Sequence, residues 1–138
     1  MKRIDQQNGG SHPHFIGTWM LDSPSICSDI VEFFDAHPAL QRPGATAGGT
    51  STDVKKSTDI VIHPADLAKP GNEAFGPYID ALFACYTDYL AQWPFIETFL
   101  PRTDIGSFNL QRYGPGGHFQ RVHTEPGSLS GLHRVSPG

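Results

Sequence analysis

Cysteine, membrane-length apolar runs and excess positive charge are all scarce in these 138 residues. The two cysteines, Cys27 and Cys85, are too few for a disulfide framework and fall in expected helices. Free cysteine is among the most often buried residues, so both read as buried, reduced thiols. No apolar stretch approaches the roughly 20 residues that a membrane helix needs, and the N-terminus lacks the apolar core of a signal peptide. The expected location is the cytoplasm. A formal net charge of −4 and a pI near 5.9 give no electrostatic ground for nucleic acid or an anionic membrane as partner. Glycine and proline, by contrast, are plentiful at fifteen and twelve residues, a composition that breaks the chain into many turns. With 38% apolar residues, the chain is near the commonest size of a single domain.

Residues 1–14 are polar, contain glycine and carry no periodic pattern, so they read as a flexible N-terminal arm, with His12 and His14 in solvent. The remainder, residues 15–138, forms the domain. Residues 15–21 read as a short strand. Ser23, Pro24 and Ser25 then supply an N-cap with proline at the first helical position, and Ile26, Ile30, Val31, Phe33 and Phe34 make an apolar stripe as far as Ala36. Residues 41–52 have no apolar periodicity and read as a loop. The β-branched run Ile60, Val61 and Ile62 marks a strand over 57–62. Residues 72–93 give the strongest helical pattern, with Ile79, Leu82, Phe83, Tyr86, Tyr89 and Leu90 recurring at three- and four-residue steps as an expected core face. Pro94 closes that helix, and residues 95–100 add a short helical turn.

The densest functional signal lies in residues 108–125. Alternating residues 108–113, a Gly-Pro-Gly-Gly turn and a second alternating run, 118–124, read as strand, turn, strand. On the second strand His123 and Glu125 are two apart and share a face, with Cα atoms roughly 6–7 Å apart. Two such side chains can close on one ion at about 2.0–2.2 Å. A His-x-carboxylate pair supplies two of the three ligands of the facial triad of non-heme iron oxygenases. His118 is an odd number of residues from His123 and faces the opposite side, which makes it a poor third ligand. The plain alternative is that His123 and Glu125 are ordinary strand residues paired with Arg121 or Arg134.

Gln111-Arg-Tyr113-Gly-Pro-Gly-Gly-His-Phe119, followed by Arg-Val-His123-Thr-Glu125 and Leu132-His-Arg-Val135, resembles the first half of the core of the Fe(II)- and 2-oxoglutarate-dependent oxygenases of the prolyl 4-hydroxylase-like type. Residues 16–34 resemble that family's leading strand and first helix, and residues 55–62 its next strand. Two helices laid against a sheet suggest an α+β layout, and the resemblance makes the sheet more specific: N-terminal helices packed on a double-stranded β-helix, or jelly roll. Only thirteen residues follow Glu125, so the jelly roll would be incomplete, lacking the C-terminal strands that carry the second histidine ligand and the basic residue for 2-oxoglutarate. The resemblance further implies Fe(II) on His123 and Glu125, 2-oxoglutarate near Tyr113 and Gln111, ascorbate as an accessory cofactor, and hydroxylation of a small-molecule or peptide substrate. Open sheet edges in a partial barrel would favour an oligomer. Two other readings stand beside this dioxygenase: a non-catalytic, cupin-like module that binds a metal or small molecule, and a zinc hydrolase using His123, Glu125 and another histidine.

Overall fold

The computed structural model describes residues 1–4, 14–46, 48–100 and 103–120. In chain order these form β1 (Lys2–Ile4), β2 (Thr18–Met20), α1 (Ser25–Ala36), β3 (Arg42–Pro43), β4 (Lys55–Lys56), β5 (Thr58–Ile62), α2 (Phe75–Gln92), α3 (Ile96–Phe99), β6 (Phe108–Arg112) and β7 (His118–Phe119). The class is α+β. All strand pairs are antiparallel, in three small sheets ordered β1-β2, β3-β5-β6 and β4-β7, and no jelly roll closes among the described strands.

The α1 helix begins as its sequence dictates. Ser23 Oγ accepts the Ser25 N–H at 3.3 Å, while Pro24, which has no N–H to leave unpaired, holds helical dihedrals. At the other end the His37 ring bonds the Phe33 carbonyl at 2.8 Å and lies stacked on the Phe33 ring. The apolar stripe delivers Phe33 and Phe34 into a core completed by Ile60, Ile62 and Phe75, with Phe108 and Leu110 packed against it. β5 is the central strand of its sheet, and Ile60 is almost wholly buried because β3 and β6 flank it and the helices cover its face.

The expected core face of α2 is not the part of the helix that is buried. Its core residue is Phe75 in the first turn, whereas Leu82 and Phe83 are 45% and 41% exposed. The sheet is short, so only the start of the helix crosses it. The later turns are met by the N-terminal hairpin instead: β1 pairs with β2, Trp19 Nε1 and Arg3 both donate to Asp88, and Trp19 packs edge-on against Tyr89. Lys2–Ile4, within the stretch read as an arm, is therefore a paired strand. Cys27 is exposed rather than buried, because the buried residues of α1 are in its last turns and Cys27 lies in its first, and Cys85 is half-buried; both thiols are free. Residues 41–52 contribute β3, whose Pro43 is tolerated on a sheet edge.

The expected hairpin over 108–124 does not form among the described residues. β6 pairs with β5 and β7 with β4, in separate sheets, so both strands run antiparallel to residues 55–62 rather than to each other. Thr58 opposes Arg112 and Lys56 opposes His118; between them the first strand has only Ser57, while the second has residues 113–117. The Gly-Pro-Gly-Gly segment is thus a loop extruded between two antiparallel pairings of offset register. Gly117 closes it by donating to the Gly114 carbonyl at 2.7 Å. A Cβ on Gly117 would stand 2.8 Å from that oxygen and 2.9 Å from the Lys56 carbonyl, both fixed backbone atoms. Gly117→Ala is expected to cost about 1–3 kcal/mol by forced backbone displacement, as measured by chemical denaturation. Among the described residues no helix is long and apolar enough to cross a membrane.

Candidate functional site

Alternation along β5 sends Asp59 to the face opposite Ile60 and Ile62. Asp59 and Lys55 are 7% and 4% exposed, the buried charged residues of the described chain. Burial of a carboxylate and an ammonium is tolerable only when each finds the other and the remaining hydrogen-bonding positions are filled. Lys55 Nζ donates to Asp59 Oδ2 at 2.7 Å, Ser57 Oγ donates to Oδ1 at 2.7 Å, and Gln111 Nε2 reaches Oδ2 at 3.3 Å. Gln111 arrives there because it is the register partner of Asp59. With its amino group on Asp59, its carbonyl oxygen faces the Tyr113 hydroxyl, which donates over 3.4 Å. Gly44 makes room for the cluster: a Cβ at that position would stand 2.1 Å from Ser57 Oγ and 3.3 Å from Asp59 Oδ1.

Arg112 lies one residue along, on the other face, and borders two cavities. The first, about 280 Å³, lies between α1 and β6, with Ile30, Val31, Phe34 and Leu110 as apolar walls and Asp35, Gln111, Arg112 and Tyr113 as polar ones. The second, about 160 Å³, is polar and sits under the extruded loop, between Lys56, Ser57, Thr58, Arg112 and Gly114. Arg112 donates through Nη1 to Asp35 at 2.6 Å and its guanidinium lies 4.5 Å from the Phe34 ring centre. A third cavity, about 460 Å³, is acidic, bounded by Asp29, Glu32, His37 and Glu73. Backbone N–H groups of Glu73 and Gly71 hold the Glu73 carboxyl below its ordinary value. Cys85 is no candidate nucleophile: burial, and then the Asp88 carboxylate, push its thiol up and keep it protonated.

Of the residues singled out from sequence, the structure brings Gln111 and Tyr113 together. His123 and Glu125 lie outside the described residues. His118 has Nε2 buried without a partner among the described residues, and its Nδ1 stands 3.3 Å from the Gly116 carbonyl. Among the described residues no group of three or more His, Cys, Asp or Glu converges as a metal site would require. Lys55, Asp59 and Arg112 were missed as site residues. The Lys-x-x-x-Asp spacing in a strand segment carries no distinctive signal, since only the fold buries the pair.

No family model matches the chain, and no solved structure matches it. Two curated relatives do: pyruvate decarboxylase 3 and pyruvate decarboxylase 4 of Arabidopsis thaliana, each 37% identical over 71 residues. The match takes in 48% of this chain but only 12% of the first relative and 11% of the second. This likeness overturns the identification with Fe(II)- and 2-oxoglutarate-dependent oxygenases. The dioxygenase activity, the oxidoreductase class, and Fe(II), 2-oxoglutarate and ascorbate as cofactors fall with it. Nothing supports the cupin-like module either. The motif misled because a Gln-x-Tyr, a glycine-rich turn and a His-x-Glu are all short and individually common. Their joint meaning required a hairpin that the described ladder does not contain.

Proposed function

We propose that the chain handles a 2-oxo acid as one portion of a decarboxylase-type catalytic unit, capturing the substrate carboxylate rather than expelling CO2. The partial likeness to two pyruvate decarboxylases carries this reading. The polar cavity under the extruded loop supports it, because Lys56 and Arg112 bring two cations to a space of about 160 Å³, with Ser57 and Thr58 beside them. Cations that stabilise a carboxylate in the ground state raise the barrier to losing it as CO2. Such a cavity suits uptake, not bond cleavage. The acyl carbanion equivalent left by CO2 loss needs an electron sink of the thiamine-ylid kind. A diphosphate-bearing group of that kind is held through a hard divalent cation with oxygen ligands. The part proposed for the described residues is binding of the substrate carboxylate.

In this reading the partner is a small molecule, the protein acts in the cytoplasm, and residues 15–138 work as one unit. Among the described residues β3 and β6 are the edge strands of their sheet, and we propose that these edges meet a larger assembly. Titration of the isotope-labelled chain with pyruvate is expected to give saturable amide shifts at Lys56, Arg112 and Gly114. Lys56→Gln is expected to weaken binding about tenfold by removing one charge-assisted hydrogen bond. Absence of saturable shifts, or unchanged affinity in Lys56→Gln, overturns the assignment. Release of CO2 from pyruvate by this chain alone, supplied with thiamine diphosphate and Mg2+, overturns the separation of capture from cleavage.

A further inference from the structure

The larger cavity beside Arg112 has a different chemistry from the polar one. Ile30, Phe34 and Leu110 give it apolar walls, and its rim carries one charge of each sign, Arg112 and Asp35. Its volume of about 280 Å³ lies just under the range of about 300–1,000 Å³ that accommodates drug-sized ligands. We infer that this cavity binds a free amino acid with an apolar side chain, its carboxylate on Arg112, its ammonium on Asp35 and its side chain against Phe34 and Leu110.

Charge complementarity selects the zwitterion. A plain carboxylic acid would set its charge beside Asp35, and a plain amine beside Arg112, so each meets one attraction and one repulsion. An amino acid answers both groups at once. The existing Arg112–Asp35 pair does not forbid this. Its side chains are 52% and 62% exposed, so water screens the pair and it contributes little by itself. The bond to Asp35 uses Nη1, one of three nitrogens on a group with five donors. The Phe34 ring, 4.5 Å from Arg112 Cζ, restrains the guanidinium, which lowers the entropy lost when a carboxylate docks on it. The inference stands on this cavity alone and does not depend on the decarboxylase reading.

Isothermal titration calorimetry of the full chain tests it with four probes: leucine, 4-methylpentanoate, isoamylamine and glycine. Leucine is expected to bind, and each of the others, lacking the ammonium, the carboxylate or the side chain, to bind at least about tenfold more weakly. Asp35→Asn lies on an exposed face of α1, outside the core, and is expected to lower leucine affinity about tenfold without weakening 4-methylpentanoate. Val31→Trp, from another exposed position on the same helix, fills the cavity and is expected to abolish leucine binding. No heat with leucine overturns the inference. So does 4-methylpentanoate binding as tightly as leucine, or unchanged leucine affinity in Asp35→Asn. Loss of the pyruvate response at Lys56 would leave it intact.

Discussion

Asp59→Ala is expected to destabilise the protein by about 3–5 kcal/mol, because it leaves a buried ammonium without its counter-charge. Lys55 is 4% exposed where it stands, so the lost bond at 2.7 Å is poorly replaced by solvation. Ser57 and Gln111 also lose an acceptor, and the Gln111 side chain loses what orients it toward Tyr113. Against an ordinary domain stability of about 5–15 kcal/mol, this is a large fraction of the whole. Urea denaturation checks the magnitude. The double variant Lys55→Met with Asp59→Leu checks the cause. If the penalty comes from the orphaned charge, the double variant recovers most of the loss, since apolar replacement of a buried pair is often neutral or stabilising. A double variant as unstable as Asp59→Ala would place the cost in packing instead.

Phe75→Ala is expected to cost about 3–5 kcal/mol and to lower Tm by on the order of 10–20 °C. Phe75 is 1% exposed and meets Phe33 edge-on at 4.8 Å and Phe108 at 6.0 Å, so one ring joins α2, α1 and β6. It is the buried residue of α2, whose later turns are held to the N-terminal hairpin by half-buried polar and aromatic contacts. Truncation should therefore loosen α2 as a unit. Amide exchange along residues 76–92 is expected to accelerate more than exchange in β5. Leu82→Ala, at a 45% exposed position of the same helix, is expected to change stability by less than about 1 kcal/mol. A Leu82→Ala cost equal to that of Phe75→Ala would mean that the later turns are buried in solution.

Local signals located most of the elements. Ser23-Pro24 set the start of α1, Pro94 stopped α2, and the Ile60–Ile62 run marked the central strand, because caps, proline and β-branching act over a few residues. Burial along α2 was not legible. A 3.6-residue stripe shows which side of a helix is apolar but not how much sheet lies beneath it, and here a five-residue strand covers only the first turn. Function was legible least. Gln111 and Tyr113 stood out through a motif that proved to belong to no oxygenase, while Lys55, Asp59 and Arg112 carried no motif at all.

By itself the sequence determined the α+β class, the positions of α1, α2 and β5, the turn at Gly114–Gly117 and an acidic net charge, each a consequence of local chemistry. Only the tertiary structure decided which strands pair, since hairpin and extruded-loop ladders satisfy the same alternation and the same glycines. That pairing sets Gln111 opposite Asp59 and Arg112 against Phe34, and so places a buried ion pair and two cavities where the sequence shows only scattered polar residues. The physical reason is that register is a long-range choice, fixed by how much apolar surface each alternative buries, and no short stretch of residues contains that comparison.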